Sequence, residues 1–168
     1  MKKNCLILVI ATMISSNLNA QNEVLSAFLL KWENSKNYLI ELAGAMPEDS
    51  YNYKPTERQM SFQEQLIHIK GNINWLSSTY FNGKKAEKIE LKTKEEIINQ
   101  LTASFDNVAE IIKKVTLEEL STEVEFFAGP KSKLQILNLL QDHVTHHRGQ
   151  LIVYLNLNKI EPPKYMGW

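Results

Sequence analysis

Apolar residues recur at helical spacing in four long stretches of the chain, and no stretch reads convincingly as a sheet. The first stretch runs from about Glu23 to Met46, with Phe28, Trp32, Leu39, Leu42 and Met46 on one face before Pro47 ends it. A connection rich in Pro, Asp, Asn and Tyr follows to Arg58. Ser61 and Glu64 have the spacing of a capping box and open a second helix, whose stripe is Phe62, Leu66, Ile69, Ile73, Leu76 and Tyr80. Asn82-Gly83 supplies the turn that closes it. Thr93 and Glu96 repeat the capping spacing ahead of Ile97, Leu101, Phe105, Val108, Ile112 and Val115. Val124, Phe126 and Phe127 can extend briefly as a strand until Gly129-Pro130 stops them. Ser132 and Gln135 then cap a fourth helix to about Asn158, with Ile136, Leu140, Val144, Leu151 and Tyr154 inward. Four such stripes predict an all-α four-helix bundle. Gly149, inside the fourth helix, costs about 1 kcal/mol there and suggests close approach of another helix.

The chain before the first stripe is different. Lys2-Lys3, an apolar run from Cys5 to Ile14 with no polar face, and Leu18-Asn19-Ala20 have the order of a cleavable export signal. The run is too short to span a bilayer. The expected organisation is a signal peptide over 1–20 and one bundle domain over 21–168, in the periplasm or secreted, with no membrane anchor after cleavage. Cys5 is the only cysteine, so the mature chain has neither disulfide nor thiolate ligand. Lys+Arg and Asp+Glu both number 19, and without Lys2 and Lys3 the balance is −2. Such a chain lacks the basic face that binding a phosphate backbone requires, which excludes nucleic acid as the expected partner.

Three of the four histidines fall between Asp142 and Gln150. His143 and His147 are four residues apart, about 40° in direction and roughly 6 Å in height on a helix, so their imidazoles can converge. His147 points into the core sector and His143 to its edge, while His146 points roughly 120° away, as a surface or supporting residue. A lone core-facing histidine is usually only hydrogen-bonded. Two in one apolar stripe leave several polar atoms to satisfy, and a shared divalent ion satisfies two at once. His68, in the second helix, could supply a third nitrogen, but it lies about 100° off the main stripe and periodicity alone does not decide its role. Glu64, one turn before it, reads either as the capping acid or as a carboxylate near the site. Val144 stands where an HExxH zinc helix has its Glu, and no Gly-flanked Ser supports nucleophilic chemistry.

These residues together resemble the DinB-like family. The resemblance rests on Met46-Pro47 through Tyr53-Lys54-Pro55, on Ser61 through Ile69, on His143-Val144-Thr145-His146-His147-Arg148-Gly149-Gln150-Leu151, and on Pro162-Pro163. It implies a bundle with a crossover connection, often dimeric, and a divalent metal (Zn, Ni, Mn or Fe) held by His68, His143 and His147. Relatives of this kind include metal-dependent hydrolases and enzymes that use bacillithiol or mycothiol. An export signal would separate this chain from cytoplasmic thiols. The expectation is therefore a metal-dependent hydrolase acting on a small molecule, with Glu64 or His146 accepting a proton. A thiol S-transferase and a non-catalytic metal-holding bundle are the alternatives.

Overall fold

The computed structural model describes the backbone of residues 2–85 and 89–168, and side chains from Glu23 onward within those spans. Helix α1 spans Lys2–Ala45, α2 Phe62–Tyr80, α3 Lys94–Ile112, α4 Leu117–Ser121 and α5 Lys133–Leu157, with strands β1 (Glu123–Val124) and β2 (Lys131–Ser132) between α4 and α5. The side chains of the predicted signal, residues 1–20, lie outside the described residues. No Gly or Pro precedes Gly44, so backbone chemistry offers no stop between the apolar run and the first core stripe. No helix among the described residues is long and apolar enough to cross a membrane.

The three caps read from sequence form as complete boxes: Ser61 with Glu64, Thr93 with Glu96, and Ser132 with Gln135. At the other end of α1, Pro47 ends the helix, and Lys94 Nζ donates to the carbonyls of Gly44 (2.7 Å) and Met46 (2.8 Å), which lack helical partners. Asn82 takes a left-handed φ of 57° after α2. Gly83 then passes so close to the Ser77 carbonyl that a Cβ there would sit 2.9 Å from its carbon.

Helix α1 packs on α3 and α5, and α2 packs on the same two, so α1 lies diagonally from α2 and α3 from α5. The 46–61 and 113–132 connections therefore cross between diagonal corners. The first is no loose loop: Phe62 N–H donates to Tyr53 O (3.0 Å) and Gln63 N–H to Tyr51 O (2.8 Å). Leu39, Leu42, Phe62, Leu66, Ile69, Leu101, Phe105, Val144 and Leu151 fill the shared centre and are buried. Trp32 stacks between Phe28 and Phe105 and donates its indole N–H to the Phe105 carbonyl (2.9 Å), joining α1 to α3.

Four details depart from the sequence reading. Helix α1 begins at Lys2, not at about Glu23 where its apolar stripe starts. Helix α4 was not foreseen, although Thr116 caps it through the Glu119 N–H with the familiar spacing. The brief strand is confined to Glu123–Val124, paired antiparallel with Lys131–Ser132, and Phe126 and Phe127 lie in the turn beyond it. Gly149 is exposed, and nothing lies within 4 Å of where its Cβ would be, so no helix approaches there. The glycine weakens the helix without a packing return at that position.

Candidate metal centre

Gln65, His68 and Asn72 recur at i, i+3 and i+7 and form a polar stripe beside the apolar stripe of α2. Helix α5 meets this stripe running in the opposite direction. His68 faces His143 and His147, with ring centroids 4.9 and 4.6 Å away, and Gln65 faces His147 and Tyr154 further along. The flank position that left His68 undecided is thus the α2 surface turned to α5.

One ring nitrogen from each of His68, His143 and His147 lies within 4.8 Å of the others. His143 Nε2 and His68 Nε2 are 3.1 Å apart. Nitrogens bound to one ion at about 2.0–2.1 Å stand roughly 3 to 3.4 Å apart, so this separation is of the right size. His147 is 8 % exposed, while His68 and His143 are half-buried, so the cluster remains open to solvent on one side.

The orientation of His147 is set by Gln65. Its Nδ1–H donates to Gln65 Oε1 at 2.5 Å, which leaves Nε2 with a free lone pair. The Gln65 amide nitrogen in turn donates to Gln150 Oε1 (2.6 Å), and Gln150 Nε2 donates to His146 Nε2 (3.0 Å). Tyr154 closes the assembly by donating its hydroxyl to Met60 O (2.8 Å). Gln65 and Gln150 were missed by sequence reasoning. Their signal was the polar spacing to the histidines, three residues before His68 and three after His147.

The donor set suits a cation. Burial, and then the nearby His68 and His146, push the pKa of His143 down to about 4. Burial, and then His143, His68 and His146, do the same for His147, also to about 4. Both rings are therefore neutral near pH 7 and can offer lone pairs. His143 Nδ1 is buried without a partner, as is Asn72 Oδ1 one turn beyond His68. The Glu64 carboxylate accepts from Ser61 N–H (2.6 Å) and pairs with Lys54 (3.3 Å), and the backbone bond, then Lys54, holds its pKa low. His146 is exposed, its ring 4.9 Å from that of His147.

Arg148 had no predicted role. It is 3 % exposed, with its guanidinium 5.0 Å from the Tyr38 ring centre and its Nη1 unpartnered. Burial lowers its pKa, opposed by Tyr38 and Tyr165. It points to α1, away from the histidines.

A mostly helical bundle with three imidazoles converging from two antiparallel helices is the class that fold and site define. Within that class, residues 13–165 match the DinB family, and the chain belongs to it. An uncharacterized protein of Bacillus subtilis (strain 168), YjoA, is 28 % identical over 151 residues, covering 86 % of this chain and 95 % of YjoA. The crystal structure of that DinB-like protein superposes with a TM-score of 0.72 at 24 % identity, covering 84 % of this chain and 99 % of the other. A DinB-like protein from Bacillus cereus gives a TM-score of 0.71 at 19 % identity, covering 83 % and 96 %. A conserved protein from Enterococcus faecalis gives 0.61 at 16 %, covering 81 % and 95 %.

Proposed function

We propose that this chain is a metal-dependent enzyme of hydrolytic type, holding one divalent ion (Zn, Ni, Mn or Fe) on the Nε2 atoms of His68, His143 and His147. The observation that carries this reading is the convergence of three imidazoles, of which His147 is held by Gln65 in the tautomer that frees Nε2. A bound ion supplies Lewis acidity and draws the pKa of a coordinated water toward ~7. His68 and His143 are partly exposed, so an ion held there is reachable from solvent on one side, which in a sealed, purely structural site it would not be. Both candidate proton acceptors carry a partner, Glu64 its cap and Lys54, and His146 the Gln150 amide, so either releases that partner to take a proton. A homodimer, expected from the resemblance, belongs to the same reading.

Metal analysis of the purified protein tests the site. The expected result is about one ion per chain, lost in His143→Ala and His147→Ala, weakened in His68→Ala and kept in His146→Ala. Gln65→Leu weakens affinity by about 10- to 100-fold, because the second partner of a ligating histidine fixes its orientation. Retention of the ion in His147→Ala together with its loss in His146→Ala overturns the ligand set. Activity is then read on ester, amide and phosphoester substrates, and on electrophiles supplied with bacillithiol or glutathione, each with and without chelator. Turnover only with thiol replaces the hydrolase by an S-transferase, and a metal-loaded protein silent on both panels supports the binding bundle.

We further propose that residues 1–20 direct export to the periplasm or beyond and are removed. The support is the order of charge, apolar run and small residue, although the family match begins at residue 13, inside that segment. Amino-terminal sequencing of the exported protein should begin at Gln21. A stable soluble form retaining Met1 overturns this.

A further inference from the structure

On α2, Lys70 lies two residues after His68, about 200° round the helix, so it faces away from the histidines. It is 9 % exposed. Other lysines drawn into the fold are matched: Lys36 Nζ lies 2.8 Å from both Glu33 and Asp106, Lys133 Nζ lies 2.7 Å from Glu119, and Lys94 Nζ bonds two carbonyls at the end of α1. Lys70 has no such partner among the described residues. An ammonium withdrawn from water is costly unless a counter-charge or an acceptor meets it. Lys70 is therefore short of an anion.

Two hollows open onto it. One, of about 280 Å³, lies between α2, α3 and the segment that joins them, and its lining includes Lys70, Lys84, Lys85, Asn74, Gln100 and Asn107. The other, of about 500 Å³, shares Lys70, Asn74 and Lys85 with the first and adds an apolar wall of Ile67, Ile89 and Leu91. No described Asp or Glu lines either hollow, and none of the three histidines does. The chain as a whole is formally neutral, so three ammonium groups without a carboxylate are a local excess of positive charge. Among the described residues the side-chain amides of Asn74, Gln100 and Asn107 bond to no protein group, so each has N–H donors to offer.

The ligand that answers this lining carries more than one negative charge and several acceptor oxygens. A phosphate group does both, with a charge of about −1.5 to −2 at pH 7 and three acceptor oxygens, where a single carboxylate has one charge and two oxygens. The larger hollow falls within the range of small-molecule pockets, roughly 300–1,000 Å³. Its wall of Ile67 and Leu91 suits a short carbon chain or ring attached to the phosphate.

We propose that this face of α2 and α3 binds a small phosphate monoester, with its phosphoryl group among Lys70, Lys84 and Lys85 and its apolar part against Ile67 and Leu91. The site is separate from the metal centre and does not depend on the hydrolytic reading. Its test is a titration of the full chain with inorganic phosphate and with hexyl phosphate, followed by ¹⁵N-edited NMR. The Gly71 amide and the Asn74 and Asn107 side-chain amide resonances should move saturably with both, and hexyl phosphate should bind at least about threefold tighter, because its chain leaves water. Lys70→Met, which keeps the length of the buried stem, should weaken both at least about tenfold, the size of a lost bond to a charged group. Lys84→Gln combined with Lys85→Gln, both exposed, should weaken them about threefold. Lys92→Gln, which lines neither hollow and pairs with Glu90, should change neither affinity. Shifts that never saturate, equal affinities for the two phosphates, or equal weakening by Lys92→Gln and Lys70→Met overturn the proposal. So does loss of binding in His143→Ala, which would put the phosphate at the histidines, whereas undiminished binding in that variant supports a separate site.

Discussion

His143 and His147 pay for their position in the core with their basicity: burial first, and then the neighbouring histidines, bring both to a pKa of about 4. A histidine whose folded pKa lies below its unfolded value near 6.5 contributes stability that is fully present above about 6.5 and is lost as pH falls toward 4, because the unfolded chain takes up protons the folded chain resists. In chelator, the urea midpoint of the protein should therefore fall between pH 6.5 and pH 4.5. His143→Gln combined with His147→Gln should flatten that fall, and an unchanged slope in the double variant would show that other groups cause it. At this scale the sequence was partly sufficient. Spacing along α5 set His143 and His147 on the inner side and His146 outside, as observed. It left His68 open, because the direction of a flank residue depends on which helix comes to stand beside it. It was silent on Gln65 and Arg148, whose roles come from partners 82 residues away and across α1, respectively.

Helix α2 shows how an element serves the site. Its amino terminus is fixed by the Ser61–Glu64 box and by the 46–61 connection docked on its first N–H groups, and Gln65 and His68 follow within two turns. Ser61→Ala should cost about 1 kcal/mol, within a range of roughly 0.5–2, read as a lowered denaturant midpoint. Zinc stoichiometry at saturating metal should be retained, since packing of Phe62, Leu66 and Ile69 still holds the helix. Loss of zinc binding in a variant that remains folded would mean that the cap itself sets the histidine geometry. The capping boxes of α2, α3 and α5 were legible because they are local: a hydroxyl and an acid or amide three residues on satisfy each other's backbone N–H groups wherever the helix lies. Helix α4 carried a similar signal, Thr116 with Glu119, but five residues are too few for an apolar period to show.

For the whole molecule, the consequence of the site is linkage between α2 and α5. An ion bound only by the folded arrangement stabilises it by about 2.7 kcal/mol at a free concentration one hundred times Kd. For a domain of this size that is a rise in Tm of roughly 5–10 °C. Saturating zinc should produce such a rise in the wild-type protein and little in His143→Ala. An equal rise in the variant would place the stabilising ion elsewhere.

Periodicity, caps and breakers are properties of neighbouring residues, so the sequence by itself determined the four long amphipathic helices, their ends apart from the start of α1, and a mostly helical bundle. The spacing of His143 and His147 belongs to the same class of information. What only the tertiary structure decided is which helices stand together: α2 against α5, antiparallel, with 46–61 and 113–132 crossing the diagonals. That choice minimises exposed apolar area over the whole chain, a sum no local window contains. It brings His68 to 3.1 Å from His143 and gives His147 its Gln65 partner. It also removes the neighbour that Gly149 suggested and leaves Trp75 and Phe127 exposed on either side of a half-buried Phe126.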